Sequence, residues 1–504
     1  QITKNGGQNW IKIDNIKGAP NLSYTNSVYL SKHDINVMYV AFNHHKFGDF
    51  KPYIFKSSDQ GKTWESISNN LPERGSVYSI EEDHINKDLI FCGTEFGVFF
   101  SPNSGERWKE LGNGLPTIAV RDIAIQEREN DLVLGTFGRG FYVLDDYSSL
   151  RSITDYYTSG NSNIFNVRDA LMWEKSMPLG LPGKAFQGDN FYSATNLGPV
   201  AMITYYHNDN FNSLKSKRQK SEKELIKNKK DVSYPSYDNL YSESNEFKNR
   251  LIFTIKDSDG LVVKKVFKTP KKGLQRFQWD LRYEEKVPVS FNKSSFYNPF
   301  AGVSEGTLVN PGTYTIEMAL FNGTDFNKLG NLVSFNVNAL QIATMPAKDR
   351  SKKVLFQRYV SELEGEMLSA AKMLGDAKNK IKYFKKAIEL VEAPYYELSK
   401  LIIDTDFKIK SINTKLYGNS LKTKLDIKET PTAYSRLMSI LYEQKYSTSS
   451  PTNTHLKSFE IAKEEFAPLY KEILDLLKND IKIIEDRLKL IKAPYTPGRL
   501  VPKN

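Results

Sequence analysis

A single cysteine in 504 residues, Cys92, excludes any disulfide within the chain. It stands between Phe91 and Gly93 in an apolar run, the setting of a small buried hydrophobe, with no second cysteine or histidine beside it to make it a nucleophile. No stretch of about 18 apolar residues occurs, so no membrane-crossing helix is encoded. Glycine loops of the P-loop or dinucleotide-binding form are missing too, which removes the common nucleotide-binding classes. Metal ligands are equally sparse. His44 and His45 lie near Lys46 and Asp49, but adjacent histidines do not readily turn to one ion. Asp257, Asp259 and Gly260 lack further acidic ligands for calcium and read as a hairpin turn. Neither metal nor cofactor is expected.

Charge is present in excess of one sign, with 70 Lys and Arg against 59 Asp and Glu, a net +11. Much of the surplus lies in runs such as Lys215-Ser216-Lys217-Arg218-Gln219-Lys220 and Lys227-Asn228-Lys229-Lys230. Such runs are usually solvated faces, and these lack the interleaved aromatics that single-stranded nucleic acid favours. No nucleic-acid partner is expected.

The most informative segment is Ser57-Ser58-Asp59-Gln60-Gly61-Lys62-Thr63-Trp64. Asp59 can accept backbone N–H bonds within a turn, Gly61 supplies a positive φ, and Trp64 can pack beside the turn as the next strand begins. Weaker copies flank it. Asn5, Gly7 and Trp10 keep the same offsets behind Thr3, and Asn103, Gly105 and Trp108 keep them behind Ser101. The tryptophans stand 54 and 44 residues apart, near the period of about 40 to 50 expected of four-stranded propeller blades. Ser57, Asp59, Gly61, Thr63 and Trp64 spell the Asp box, and three copies in register predict Asp-box β-propeller blades. Strand-like pairs lead toward each box: 37–42 with 53–56, 89–93 with 97–101, and 132–135 with 140–144. Short apolar strands precede them, and 79–83 and 122–126 are expected as innermost strands beside a channel.

Within residues 1–146 these pieces make about three blades, whereas closed propellers typically have at least four. A box opens the chain with no blade before it, and three strands end the region with no box behind them. The expectation is therefore that Gln1 is not the natural start and that further blades come from an upstream stretch of the same polypeptide or from a partner chain. A start inside a blade also deprives the missing signal peptide of meaning.

Residues 147–167 read as a polar connector. From 168 to 340, short strand-like runs separated by Gly, Pro, Asp and Asn suit an immunoglobulin-like β-sandwich: 200–206, 251–255, 261–267, 275–281, 312–320 and 333–337. A charged insert at 211–249 interrupts it, with a helix expected over Ser213 to Lys229. From 347 to 492 the period becomes helical, which predicts a C-terminal α-helical bundle followed by a tail at 493–504. Its expected helices cover 352–374, 381–391, 433–443 and a long segment from Phe466 to Ile491; Pro394 and Pro494 are expected to close helices.

Gly93-Thr94-Glu95-Phe96-Gly97, Asn113-Gly114-Leu115-Pro116, Val120-Arg121-Asp122 and the segment Gly135 to Asp146 resemble the last blades of bacterial BNR-repeat proteins, the glycosyl-hydrolase-like or sortilin-like propeller family. The resemblance continues through Gly273 to Tyr283 and Pro311-Gly312-Thr313-Tyr314, and reaches Ala493 to Arg499. It implies a much longer protein exported beyond the inner membrane of a bacterium, in the periplasm or at the cell surface. The Lys, Asn and Ile richness suits an AT-rich genome such as many Bacteroidota have. Sortilin's cysteine-rich module has no counterpart in a chain with one cysteine, so receptor-type sorting does not carry over.

Asp-box propellers include glycosidases, whose chemistry needs two carboxylates about 5 to 10 Å apart or, in sialidases, a tyrosine nucleophile. The box carboxylates sit on turns away from the usual ligand face. Candidates on that face are Glu95, Phe96, Arg121, Asp122, Phe137 and Arg139; Glu95 and Arg139 could equally form a turn-stabilising pair. No residue is assigned as catalytic. The leading expectation is a non-enzymatic, extracytoplasmic scaffold within a cell-envelope assembly of other proteins. The alternative is a glycoside hydrolase or glycan-binding protein whose decisive residues lie in blades upstream. Intact-mass analysis of the natural protein is expected to find a species heavier than the 57.6 kDa of this chain; a stable monomer of that mass would refute the missing blades.

Overall fold

The structure is a computed structural model that describes residues 1–504 apart from 14, 154–159, 175–193, 195, 292–304, 393, 394, 446 and 500–504. Pro394, part of the connector and the end of the tail fall outside the described residues.

The N-terminal part is built of consecutive antiparallel meanders. The first is β1 (Tyr24–Leu30), β2 (Met38–His44), β3 (Asp49–Ser57) and β4 (Glu65–Ser66), paired in that order. The second repeats it with β5 (Val77–Glu82), β6 (Ile90–Thr94), β7 (Gly97–Ser101) and β8 (Lys109–Glu110). The third has three strands, β9 (Val120–Gln126), β10 (Asp131–Thr136) and β11 (Phe141–Leu144). The sheets stack. Ile80 and Cys92 of the second share a core with Tyr39, Ala41 and Ile54 of the first, while Phe91, Val98 and Phe100 share another with Ile123, Leu132 and Leu134 of the third.

The repeated turns close by side-chain capture of backbone. Gly61 N–H donates to Ser57 Oγ at 2.8 Å, and Thr63 N–H donates to Asp59 Oδ1 at 2.8 Å. The third copy repeats both bonds, from Gly105 to Ser101 Oγ at 2.9 Å and from Arg107 to Asn103 Oδ1 at 3.0 Å. The first keeps them with Thr3 and Asn5, flanked by a lone bridge between Ile2 and Ile11. Gly61 has φ +82°, and a Cβ there would come within 2.6 Å of Ile2 and 2.8 Å of Ile13. Gly105 has φ +93° and would meet Ile67 at 2.8 Å. Ile13 and Ile67 each stand three residues after a box tryptophan, so the second and third box glycines each receive an apolar side chain from the preceding repeat, whereas Gly7 faces only Trp10 of its own box. Tryptophan burial follows the same cover: Trp10 is 58% exposed and Trp108 only 2%. Trp108 Nε1 donates to Ile67 O at 2.7 Å.

Residues 147–153 are not a polar connector. Tyr147, Leu150 and Ile153 are buried in the core between the second and third meanders. Asp83 anchors them: Arg151 Nε and Nη2 each donate to its carboxylate at 2.8 Å, and Tyr147 Oη donates at 2.5 Å. Burial alone would raise the Asp83 carboxyl, but these bonds override it and hold it below the ordinary carboxylate range.

The middle region is two facing sheets. One orders β12 (Asn163–Ile164), β14 (Ala201–His207) and β17 (Gly273–Trp279). The other orders β13 (Ala170–Met172), β19 (Phe326–Ala339), β18 (Gly312–Phe321), β15 (Arg250–Lys256) and β16 (Val262–Lys268). Only β13 and β19 pair in parallel among the described strands. Tyr205, Phe253, Phe277, Trp279, Tyr314 and Phe335 fill the space between them. β17 stops at Trp279 rather than running to Leu281, because Leu281 takes φ 55° and Trp279 Nε1 bonds the turning chain at Arg282 O. β12 lies within the stretch expected as connector.

The C-terminal part is helical. The segments expected at 352–374 and 381–391 are one helix, Arg350–Glu389, because Ala377 in the polar stretch between them faces the core and Gly375 is tolerated. A helix at Tyr396–Tyr417, not anticipated, buries Leu398, Ile402, Ile409, Ile412 and Leu416. The last long helix starts earlier than expected, at Asn453 behind the Thr452 cap, and continues through a π turn at Leu476–Ile481 into Lys482–Leu490.

Arg276 clasps the third meander to the two-sheet region. Its Nη1 and Nη2 donate to the main-chain oxygens of Asp145 and Asp146 at 2.5 and 2.6 Å, and its Nε to Thr204 Oγ1 at 3.0 Å.

Arg151→Ala should strip the fully buried Asp83 carboxylate of its guanidinium partner, leaving it the Tyr147 hydroxyl and the Ile85 and Asn86 N–H groups, and cost about 3–5 kcal/mol of unfolding free energy. Because the Asp83 pKa is depressed in the folded state, its contribution is complete above the ordinary carboxylate range and lost as pH falls through the folded value. Chemical denaturation at pH 7 and at acid pH checks both; a wild-type and variant gap independent of pH would contradict the anchoring role.

Candidate functional site

Three of the residues singled out in the sequence, Glu95, Arg121 and Phe137, come together around Tyr78 at one end of β5 and β9. Tyr78 lies near the start of β5 and Arg121 near the start of β9, and the Arg121 guanidinium sits 3.7 Å from the centre of the Tyr78 ring. The same guanidinium lies 5.2 Å from the Phe137 ring centre, so it is layered between two aromatics. Phe137 stands on the turn between β10 and β11 and is 70% exposed. Glu95, on the hairpin between β6 and β7, accepts the Tyr78 hydroxyl proton in a hydrogen bond, and its own N–H donates to Ser76 O at 3.0 Å. Burial and the Glu95 bond push the Tyr78 hydroxyl up to about 12, so it remains a neutral donor.

Phe96 flanks this group at 52% exposure, above Gly75, where a Cβ would stand 3.6 Å from its ring. Arg139 is exposed on the β10–β11 turn and does not pair with Glu95, whose carboxylate is engaged by Tyr78. Asp122 points elsewhere. Its Oδ1 accepts the Ile123 N–H at 3.0 Å, and its charge acts on Glu81.

Glu81, Glu82 and Asp83 close β5 and diverge in role. Glu82 is buried and accepts Ser31 Oγ at 2.6 Å and Tyr39 Oη at 3.1 Å. Asp83 is the anchor described above. Glu81 is partly buried, with Tyr29 Oη at 3.3 Å and Lys32 Nζ at 3.8 Å, while Lys32 is bonded more closely to Glu127 at 2.8 Å. Burial, reinforced by Asp122 and Glu127 and only partly opposed by Lys32, pushes the Glu81 carboxyl up to about 7. The sequence marked Glu81 only as part of an inner strand. The signal it carried was a carboxylate beside two others with one lysine in reach.

The remaining candidates have structural settings. His44 Nδ1 lies 3.3 Å from Ser23 Oγ and its ring stacks on Phe47 at 4.3 Å. Asp257 Oδ1 accepts the N–H groups of Asp259 and Leu261 at 3.1 and 2.9 Å, closing the hairpin between β15 and β16. Cys92 is buried, and burial raises its thiol well above the ordinary value.

No family model and no curated protein matches the sequence. Solved structures similar to the chain include the extracellular domain of a protein described as a hybrid two component system, BT3049, from B. thetaiotaomicron, at 10% identity and TM-score 0.21, covering 62% of this chain and 32% of that one. An ancestral GH74 enzyme is similar at 11% identity and TM-score 0.21, covering 62% and 35%. The GH74 xyloglucanase from Xanthomonas campestris is similar at 10% identity and TM-score 0.21, covering 66% and 40%. The chain thus spans 32% to 40% of the length of these distant neighbours. Similarity at this level assigns neither activity nor substrate.

Glu81→Gln should stabilise the protein above pH 7. A carboxyl titrating near 7 when folded and in the ordinary range when unfolded makes stability fall as pH rises between the two, and the amide removes that loss. Melting curves from pH 4 to 9 should show the variant's advantage growing with pH and vanishing in acid; a constant difference would mean that Glu81 is not held near neutrality.

Proposed function

We propose that the chain is the closing part of an Asp-box β-propeller, followed by an immunoglobulin-like spacer and a helical end domain, and that it works as a non-enzymatic extracytoplasmic interaction platform. The carrying observation is the contrast between the middle meander and its neighbours. Every residue of β6 and β7 is buried, because a sheet covers each face. The outer meanders are covered on one face only: Val28 and Leu30 are 66% and 65% exposed on the first, Phe141 and Val143 80% and 54% on the third. Covering such side chains contributes roughly 1.5–3 kcal/mol each, which favours further blades or a partner against both faces. Repeating meanders with their boxes support the propeller reading. The sandwich reading has two supports, a three-stranded sheet facing a five-stranded one and the Tyr314 hydroxyl donating to Asn310 O at 2.6 Å near the start of β18, the geometry of a tyrosine corner.

The Tyr78–Arg121–Phe137 stack supplies the platform. Tyrosine, arginine and an exposed phenylalanine are the residue types that dominate interface energetics, and the guanidinium is already oriented by two rings. No helix among the described residues is long and apolar enough to cross a membrane.

A second reading, glycoside hydrolysis or glycan binding, draws on Glu81. A carboxyl near neutral pH with a second carboxylate acting on it is the kind of environment that tunes a general acid.

Replacing Phe137 by a photo-crosslinking phenylalanine in the complete protein should capture a defined envelope protein, and Arg121→Ala should reduce capture about tenfold or more. Failure to capture any partner would sink the platform reading. Oligosaccharide turnover that drops about 100-fold in Glu81→Gln would replace it with the enzymatic one.

A further inference from the structure

The charged insert is an arm with a distinct tip. Ser213 caps a helix at Leu214–Lys227, and Ser236 caps a second at Tyr237–Ser244. Arg218 joins them by donating to Glu243 at 2.5 and 2.9 Å, and Leu214 N–H donates to Glu246 at 2.8 Å, so the helices run antiparallel. The base is fixed to the sandwich. Phe247 packs edge-on against Phe321 at 5.3 Å, and Lys272 N–H donates to Asn210 Oδ1 at 2.8 Å. From Arg218 the first helix continues nine residues to Lys227, about 13 Å at 1.5 Å per residue, away from that base.

Along the first helix only Arg218, Glu222 and Leu225 are partly covered, the face turned to its partner, which leaves Lys220, Lys223 and Lys227 on the opposite side. Residues 214–230 hold eight Lys or Arg against two Glu, and Arg218 engages one of those, Glu222, at 2.6 Å. The return half of the insert carries Asp231, Asp238, Glu243 and Glu246, so the insert as a whole is only net +3 and the basic surplus is confined to the first helix and the residues just after it. At its tip the exposed groups are not only basic. Ile226 is 65% exposed, Val232 39%, Tyr234 92% and Tyr237 76%, interspersed with the exposed Lys229 and Lys230. Neither helix carries a buried residue.

The geometry points to this tip as a docking element for an anionic lipid bilayer, entered only to headgroup depth. Lysines beside exposed tyrosine and aliphatic side chains match both properties of that zone, negative potential outside and an amphipathic boundary where aromatic rings with a polar end reside. A nucleic-acid groove would favour arginine and stacked aromatics along the helix, where this one has lysines and no ring. An acidic protein surface would satisfy the lysines but leave Ile226, Val232 and the ring of Tyr234 in water. The arm would thus hold the sandwich against a membrane without any segment spanning it.

The test uses the full chain with vesicles of phosphatidylcholine alone and with about one third phosphatidylglycerol, sedimented across a salt series. Binding is expected to the anionic vesicles only and to weaken with salt. Lys229→Glu with Lys230→Glu should reduce it more than about tenfold, since each lysine near the surface contributes about a factor of five. Tyr234→Ser with Tyr237→Ser should weaken binding at every salt concentration while melting as the wild type does. A Tyr234→Trp variant should gain emission that brominated lipid quenches. Equal binding to both vesicle types, no binding, or anionic-vesicle binding unchanged in the lysine variant would overturn the proposal. Capture on polyglutamate resin without vesicle binding would overturn it in favour of an acidic protein.

Discussion

Sheet-on-sheet contact is the constraint on which the N-terminal half depends. Each meander is a single sheet with no interior of its own, so its apolar residues alternate between two faces and each face requires a neighbour. The glycines of the second and third turn repeats are part of that contact. Gly61 and Gly105 have no room for a side chain because Ile13 and Ile67 occupy the space, and this fixes how one sheet is set against the next. The second meander has both neighbours and is buried throughout its central strands; the outer two show what that neighbour supplies by lacking it on one side.

Electrostatics divides the inner strands into two ends with different work. At one end Arg121 is layered between Tyr78 and Phe137 and presents charge on an aromatic support. At the other, three successive carboxylates diverge: Glu82 is satisfied by hydroxyls, Asp83 by a guanidinium, and Glu81 by too little to keep its proton away near neutrality. Position relative to neighbouring sheets decides these fates, since the three side chains are chemically almost alike.

That dependence explains what the sequence disclosed and what it withheld. The turn repeat was legible because its bonds are local: Ser57, Asp59, Gly61 and Thr63 satisfy one another within seven residues. Strand positions followed from alternation and helices from period. The helix at Tyr396–Tyr417 went unread because its buried residues are spaced among polar ones without a strong terminal signal, and the break imagined between 374 and 381 was a polar stretch around a buried Ala377. Of the candidate site, Glu95, Arg121 and Phe137 were found on three separate segments, but the Tyr78 ring that binds them together was not. Neither was Glu81, whose raised proton affinity comes from burial and from the Asp122 and Glu127 carboxylates, far from it in sequence.

The Arg276 clasp carries a lesson about inheritance. Two of its three acceptors are main-chain carbonyls, those of Asp145 and Asp146, which any residue at those positions would provide. On that side the joint depends on where the backbone is held rather than on the chemistry of a side chain; on the other it hangs on a single arginine codon. Such asymmetry concentrates the joint's exposure to mutation on the arginine, whose loss would release all three bonds at once.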